Sequence, residues 1–438
     1  MSPTFASLSV PNYRLWFGGA FASNVGTWMG RVAQDWLVLT VLTNHSSTAL
    51  GTVTGLQFAP FLIAPLAGAF VDRFDMRRTL MVTQSLLGLN SLILGLLVVT
   101  GHAQLWEVYV LAFALGLTTA VDNPARQVFV SELVPPESLA NAVALNSASF
   151  NGGRLVGPGL AGLLIAWVGT GPVFLINAGS FLAVLGALAA LDRSQLRHVR
   201  RARGSGLVRE GFRYVRGRSD LKLVMLLVFV LGTFGMNFQI TNALMATKVF
   251  GRGPGEYGIL GSIMAIGSLS AALLTARRQR PRLRMLLVSL AGFAVAAAAA
   301  SLAPSYVTFA VLLVPIGLTA LTAMTTANTM VQTRVDPQFR GRVMSLYMMI
   351  FMGGTPLGAP LIGWIGDAWG PRWTIAVGAI AVGVTLLVVA VWLVRHENIR
   401  VTFSHDHHRF GLAITTQPNA ADEPEAQADA EVMAEVTR

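Results

Sequence analysis

The feature that most constrains this chain is a series of long apolar runs that are almost free of charge. Only 12% of the 438 residues are charged, against about 25% in ordinary soluble proteins. A helix that crosses a bilayer needs roughly 20 consecutive apolar residues, whereas a barrel strand needs about 10 that alternate. The runs are long and do not alternate, so they predict an all-α membrane protein with twelve transmembrane helices. The predicted spans are 15–43, 49–71, 79–100, 104–126, 142–168, 172–191, 221–248, 256–276, 284–303, 305–332, 343–366 and 373–394.

The basic residues fall on one side of this predicted arrangement. If both termini are cytoplasmic, 27 of the 32 Lys and Arg residues lie in cytoplasmic segments. Two, Arg31 and Arg154, lie within spans, and only Lys248, Arg252 and Arg372 lie in external loops. Cytoplasmic loops carry such an excess, and the inner leaflet is anionic. We therefore interpret the net charge of +11 as contact with membrane lipids and not with nucleic acid. The prediction is an integral protein of a bacterial cytoplasmic (inner) membrane, expected to be a monomer.

A weak internal repeat divides the spans into two sets of six. A shift of 201 residues aligns Val134, Pro136, Leu145 and Phe150 with Val335, Pro337, Leu346 and Phe351, and it aligns Gly157 and Gly162 with Gly358 and Gly363. Duplicated membrane bundles leave this kind of signal. The repeat predicts two pseudo-symmetric six-helix bundles, over residues 1–191 and 221–394.

The segments outside the two bundles differ in charge. The linker 192–220 is basic, and the apolar stripe of Leu207, Val208, Phe212 and Val215 predicts a short helix at the membrane surface. The tail 395–438 is polar and rich in acid, so it is predicted to be disordered. Three tail histidines, His405, His407 and His408, are interpreted as solvated, and no metal site is predicted.

The loop after the second span carries the first family motif. It reads Gly68-Ala-Phe-Val-Asp72-Arg73-Phe-Asp-Met-Arg77-Arg78, and it resembles the cytoplasmic loop signature of the major facilitator superfamily, with Asp75 in place of the family's glycine. The resemblance implies that Gly68, Asp72, Arg73, Arg77 and Arg78 form a gating loop. It also implies that Asp72 binds the start of the eleventh span, near 341–343. The alternative is that the arginines only set the topology.

The fifth span carries a second motif. Gly153, Gly157, Pro158 and Gly162 resemble the antiporter motif of the same superfamily, and the opening residues are similar to its drug- and siderophore-exporting branch. The resemblance implies a hinge in this helix. Generic packing of small residues is the alternative. The chain departs from the family where its fourth span, around VYVLAFALGL, lacks the arginine that many proton antiporters carry.

The first span carries a polar face. Asn24, Trp28, Arg31 and Asp35 are spaced to lie on one side of a helix, with Gln34 beside them. Because ionisable groups inside a membrane are costly, they indicate function. Asp35 and Arg31 are the proton-coupling candidates. A static ion pair between them, four residues apart, is the alternative.

Further polar side chains are candidates for a substrate cavity. The full set is Asn24, Trp28, Gln34, Arg154, Asn237, Asn242 and Asn328. Asn237 and Gln239 are predicted not to share a helix face, so only one of them should reach the cavity. Asp122, Asn123 and Arg126, at the predicted end of the fourth span, are interpreted as a structural network between helices.

Together these features predict a secondary active transporter. It would export an amphipathic small molecule, such as a drug or siderophore, by proton antiport and alternating access. The sequence contains no Walker A motif and no catalytic constellation, so neither an enzyme nor a cofactor is predicted. The alternatives are an uncoupled facilitator or importer of a polar solute, and a membrane sensor or assembly protein that transports nothing.

Overall fold

The structure is almost entirely helical, as the apolar runs predict. The computed structural model describes residues 3–63, 74–197, 208–276, 283–396, 400–406 and 409–415. The helices are α1 Pro11–Trp36, α2 Ser47–Phe58, α3 Met76–Val99, α4 Leu105–Leu133, α5 Pro136–Val168, α6 Thr170–Ala190, α7 Val208–Arg216, α8 Ser219–Val230, α9 Phe238–Leu244, α10 Pro254–Ala276, α11 Leu283–Ser301, α12 Tyr306–Arg334, α13 Arg340–Gly353, α14 Thr355–Ala368 and α15 Pro371–His396.

Helices occur at all twelve predicted spans. In the described part of the chain, nine are long and apolar enough to cross a membrane. The other three spans do not meet this requirement, for physical reasons. The second is described only to Ile63, in a 3-10 turn that follows α2, while α1 and α5 are long but carry polar residues along one face. This confirms an integral membrane protein of the helical class.

Two spans contain breaks that the sequence did not reveal. The seventh consists of α8, a π-helical turn at Leu231–Gly235, α9 and a second π-helical turn at Met245–Val249. Between the first turn and α9, Met236 and Asn237 leave the helical conformation. The eleventh span consists of α13 and α14, which meet at Gly354. Short π-helical segments often mark functional positions.

The two halves of residues 1–383 meet through α2 with α14 and through α5 with α10. We call the helix ends near 74–78, 192–197 and 334–342 the linker end. The ends near 43–47, 248–254 and 367–371 are called the far end.

In the N-terminal half, a core around Tyr13, Trp16 and Phe129 joins α1 to its neighbours near the linker end. The Tyr13 hydroxyl donates to the Ala142 carbonyl oxygen at 2.7 Å.

The linker helix packs on the C-terminal half. In α7, Glu210 forms an ion pair with Arg342 at the start of α13. The Tyr214 ring stacks on Phe339 with centroids 4.8 Å apart. A helix is therefore present where the apolar stripe predicted one; Val215 is buried and Phe212 is exposed. Leu207 lies outside the described residues.

The tail differs from its prediction over residues 400–406 and 409–415. There β1, Arg400–Asp406, pairs antiparallel with β2, Arg409–Thr415, with Arg400 opposite Thr415 and Asp406 opposite Arg409. His405 lies in β1, whereas His407, His408 and the chain beyond 415 lie outside the described residues.

Candidate functional site

A cavity of about 410 Å³ lies between the two halves and is lined by both. The N-terminal half contributes mainly polar and charged residues from α1, α4 and α5. The C-terminal half contributes amides together with methionine and aromatic side chains. The lining includes Asn24, Trp28, Arg31, Gln34, Asp35, Gln57, Asp122, Arg126, Arg154, Pro158, Met236, Asn237, Phe238, Gln239, Asn242, Tyr257, Met264, Met324 and Phe351.

Most of the predicted cavity residues therefore lie together, and one does not. The polar face of α1 enters the cavity because a helix cannot expose such residues to lipid. Asn328 does not line the cavity. Its side-chain oxygen accepts a hydrogen bond from Gln332 one turn later on α12, so the prediction of a cavity role for Asn328 is wrong.

Asp35 has a different partner from the one the spacing suggested. No ion pair joins Arg31 to Asp35 among the described residues. The Asp35 carboxylate, which is 4% exposed, accepts a hydrogen bond from the Tyr257 hydroxyl at 2.8 Å. Because Tyr257 lies in the first turn of α10, this bond joins the two halves. The Tyr257 ring also stacks on Trp36 at 6.1 Å.

Two arginines lie close to the ring of one tryptophan. The guanidinium carbon of Arg31 lies 4.9 Å from the centre of the Trp28 ring, and that of Arg154 lies 5.6 Å from it. Among the described residues, neither arginine forms an ion pair, and the buried Arg31 Nε has no hydrogen-bond partner. Cation–π contact supports both side chains without neutralising either.

Asp122 and Arg126 form a network that joins three helices. The Asp122 carboxylate binds Arg126 at 2.6 Å and accepts hydrogen bonds from Thr83 and Gln84 of α3. Arg126 also reaches Asn24 of α1 at 3.4 Å. The geometry agrees with the predicted network. The predicted span end at 126 is wrong, because α4 continues to Leu133 and Arg126 is a cavity residue within the helix.

The break at Met236 and Asn237 overturns the expectation for the seventh span. Asn237 and Gln239 both line the cavity, although an unbroken helix would separate them by about 200°. The Asn237 amide nitrogen donates to the Thr233 carbonyl oxygen at 2.8 Å. The side-chain oxygens of Asn237 and Asn242 are buried without partners.

The glycines of the fifth span permit close approach on two sides. A Cβ atom at Gly157 would lie 2.6 Å from the Trp28 Cβ, and one at Gly153 would lie 2.9 Å from the Asn24 backbone, so both glycines hold α5 against α1. On the other side, a Cβ at Gly162 would lie 2.5 Å from the Pro254 carbonyl oxygen of α10.

Pro158 interrupts the hydrogen bonding of the same helix, because proline lacks a backbone N–H. Beside it, the Ser262 hydroxyl of α10 donates to the Leu155 carbonyl oxygen at 2.6 Å. The interruption in α5 is therefore supported from the other half.

Only part of the predicted gating loop can be described. The Arg77 guanidinium donates to the Leu188 carbonyl oxygen at 2.7 Å, near the end of α6, where the helix dipole favours a cation. The Arg78 backbone N–H donates to the side chain of Asp75, which caps α3. The residue that departs from the family motif therefore begins the next helix. Gly68, Asp72 and Arg73 lie outside the described residues.

The sequence reasoning missed a cluster at the far end. Asp367, at the end of α14, accepts hydrogen bonds from the backbone N–H groups of Ser47 and Thr48, both at 2.8 Å. Lys248 lies 3.3 Å from the same carboxylate. An acid at its own helix's C-terminus is electrostatically unfavourable, and that signal could have indicated a partner elsewhere. Here the partner is the N-terminus of α2, in the other half.

Comparisons with known proteins agree with this architecture. Residues 2–417 match the family described as transmembrane secretion effector. The staphyloferrin A transporter of Staphylococcus aureus is 26% identical, covering 90% of this chain and 99% of that protein. The multidrug efflux pump Tap of Mycolicibacterium fortuitum is 29% identical, covering 86% and 94%. A bacterial homologue of the human lysosomal transporter Spinster, solved inward-facing and unoccupied, has a TM-score of 0.68 at 15% identity, covering 87% and 95%.

Proposed function

Because this chain belongs to the transmembrane secretion effector family of the major facilitator superfamily, we propose that it exports an amphipathic small molecule in exchange for protons. The family resemblance inferred from the sequence motifs is thereby confirmed, and the protein is a transporter and not an enzyme. The two curated relatives handle small molecules according to their names, and one is an efflux pump. Proton exchange and the class of substrate are the parts that we propose.

The hydrogen bond between Asp35 and Tyr257 is the observation that carries the proposal. It links an ionisable group in the cavity to the opposite half of the protein. Hydrogen bonds to an ionised carboxylate are about twice as strong as neutral ones. Loss of a proton from Asp35 therefore favours the conformer in which α1 and α10 are joined, and gain of a proton weakens that link.

This dependence gives a rule for exchange. A proton enters from outside and binds Asp35 while the far end is open. After the protein turns inward, the proton leaves to the cytoplasm, and the ionised Asp35 holds the far end closed through Tyr257. Bound substrate supplies the free energy that reopens the far end. An empty, deprotonated protein is held inward-facing, so protons do not leak.

The remaining motif residues receive supporting roles in this proposal. The linker end is cytoplasmic, and the protein lies in the bacterial inner membrane, in accordance with the charge distribution. The gating loop, Gly68, Asp72, Arg73, Arg77 and Arg78, closes the cytoplasmic end. Gly153, Gly157, Pro158 and Gly162 let α5 tilt between α1 and α10. Asp35 and Arg31 are the charged pair whose balance changes with the proton.

Transport in liposomes tests the proposal. Purified protein is reconstituted, a pH gradient is imposed, and the flux of three dansyl amphiphiles is followed: N-dansyl-6-aminohexanoate, its primary amide, and N-dansylcadaverine. We expect flux of at least one probe to depend on the gradient and to lose that dependence in Asp35→Asn. Glu107→Gln is the matched control, because Glu107 lies outside the cavity at the start of α4 and binds the Gln104 backbone N–H at 2.9 Å.

Two results would contradict the proposal. Flux that ignores both the gradient and Asp35→Asn would indicate a facilitator. If no amphiphile crosses the membrane while deletion of the basic linker abolishes function in cells, a sensor or assembly protein would be the better interpretation.

A further inference from the structure

The charges in the cavity do not balance. Its described lining contains two carboxylates, Asp35 and Asp122, and three guanidinium groups, Arg31, Arg126 and Arg154. Asp122 and Arg126 neutralise each other at 2.6 Å. The remaining carboxylate, Asp35, takes its hydrogen bond from Tyr257. Two cations therefore face one anion, and protonation of Asp35 removes that anion.

The two excess cations are arranged to receive an acid. The guanidinium carbons of Arg31 and Arg154 lie 4.9 and 5.6 Å from the centre of the same Trp28 ring, so both positive charges are concentrated in one part of the cavity. A guanidinium group presents N–H donors in a fixed fork that matches a carboxylate. The unpartnered Arg31 Nε adds a buried donor, and leaving such a group unpaired is costly.

The opposite wall offers the complementary chemistry. The side-chain oxygens of Asn237 and Asn242 are buried acceptors without partners. Both residues are 4% exposed. A bound molecule can satisfy them only by donating an O–H or N–H hydrogen. The surface around them is apolar, formed by Met236, Phe238, Met324 and Phe351.

We infer that the transported molecule is an amphipathic anion. Its acidic group binds between Arg31 and Arg154 beside Trp28. A hydroxyl or amide N–H group on its body donates to Asn237 or Asn242, and its apolar part contacts the methionine and aromatic wall. The cavity volume of about 410 Å³ is in the range of small-molecule sites. This inference rests on the proposed function, because it names the substrate class of the same cavity.

Equilibrium binding tests the inference without any transport. The three dansyl probes share one fluorescent body and differ in the terminal group, which is a carboxylate, a neutral amide or an ammonium. Dansyl fluorescence is titrated with the purified full-length protein in detergent. We expect the carboxylate to bind about tenfold more tightly than the amide, because charge-assisted hydrogen bonds are about twice as strong as neutral ones, and the ammonium to bind weakest.

Variants locate the effect within the cavity. Arg31→Gln and Arg154→Gln should each reduce the preference for carboxylate over amide, whereas Arg14→Gln should keep it. Arg14 is exposed in the first turn of α1 and lies outside the cavity. A probe methylated at the sulfonamide nitrogen loses its donor. It should bind the wild type more weakly than its parent probe does. The Asn237→Ala, Asn242→Ala double variant should bind the two probes equally.

The comparison of the three probes on the wild type tests whether the ligand is an anion, even if a variant fails to fold. Equal binding of the three probes, or tightest binding of the ammonium, would overturn the inference. Either result would leave proton-coupled export open, since that depends on flux and Asp35. Conversely, selective binding of the carboxylate without gradient-driven flux would support the inference about the ligand and contradict the proposed function.

Discussion

The Tyr257 hydroxyl carries the proposed link between protonation and conformation. Tyr257→Phe keeps the ring that stacks on Trp36 and removes only the donor to Asp35. A hydrogen bond to a charged group contributes about 1.5–3 kcal/mol. Its loss should therefore raise the population of the empty protein whose far end is open about tenfold or more.

The expected result for Tyr257→Phe is a proton leak without substrate. Protein-containing liposomes are loaded with a pH-sensitive dye and acidified outside, and the rate of internal acidification is measured. Tyr306→Phe is the matched control, because the Tyr306 hydroxyl donates to the Glu256 carbonyl oxygen at 2.8 Å near the same helix end but outside the cavity. A leak no faster than that of the control would exclude Tyr257 from coupling.

The sequence predicted which residues line the site better than it predicted which residues they contact. Helical spacing brought Asn24, Trp28, Arg31 and Asp35 to one face, because periodicity alone determines which side chains share a face. It also offered a static Arg31–Asp35 pair as the alternative, but among the described residues the Asp35 carboxylate is hydrogen-bonded to Tyr257 instead. The real partner of Asp35 is more than 200 residues away in the chain, and a contact made by packing two bundles leaves no local spacing to detect.

Among the helices, α5 offers the clearest test of close packing, at its contact with α1. A Cβ at Gly157 would lie 2.6 Å from the Trp28 Cβ, whereas a Cβ at Gly179 of α6 would meet nothing within 4 Å. Overpacking costs roughly 1–3 kcal/mol, but Gly→Ala in an open helical position gains up to about 1 kcal/mol. Gly157→Ala should therefore destabilise the protein, while Gly179→Ala should leave it equal or more stable.

Thermal unfolding in detergent, together with the flux assay, measures this difference. We expect a lower unfolding temperature and reduced flux for Gly157→Ala, because the added methyl group displaces Trp28 from the two arginines. Equal unfolding temperatures for the two variants would mean that α1 and α5 separate easily, and would contradict a fixed contact at Gly157.

The boundaries of the elements could be predicted where hydropathy changes, and less well where it does not. Most predicted spans agree with the helices to within a few residues, because polar breaks coincide with the ends of the apolar runs. The fourth span ends seven residues later than predicted, since the polar residues Asp122 and Arg126 are internal to α4. The break at Met236 and Asn237 was missed, because the apolar run continues through it.

In the molecule as a whole, the internal repeat explains how the two halves approach each other. A Cβ at Gly258 would collide with the Pro158 carbonyl oxygen, and one at Gly51 would collide with that of Ala359. Gly258 lies 207 residues after Gly51, and Ala359 lies 201 residues after Pro158. The repeated sequence therefore produces two equivalent contacts, one between α5 and α10 and one between α14 and α2.

Asp367 breaks this symmetry, since the residue 201 positions earlier is Ala166. Its carboxylate joins the end of α14 to the start of α2, with Lys248 beside it. Removal of a capping side chain costs about 0.5–2 kcal/mol, and partial exposure reduces the contribution of the ion pair. Asp367→Asn should therefore open the far end about two- to tenfold more often.

Cysteine labelling can measure this opening, because the chain contains no cysteine. Thr54→Cys introduces one thiol in the cavity, and a membrane-impermeant maleimide is added outside right-side-out vesicles. Labelling should be faster by that factor when Asp367→Asn is added. Glu107→Gln is the control, because Glu107 also binds a backbone N–H at a helix start, but within one half. Since only the Asp367 contact crosses between the halves, equal labelling rates would show that α2 and α14 are held together by their glycine contact and not by charge.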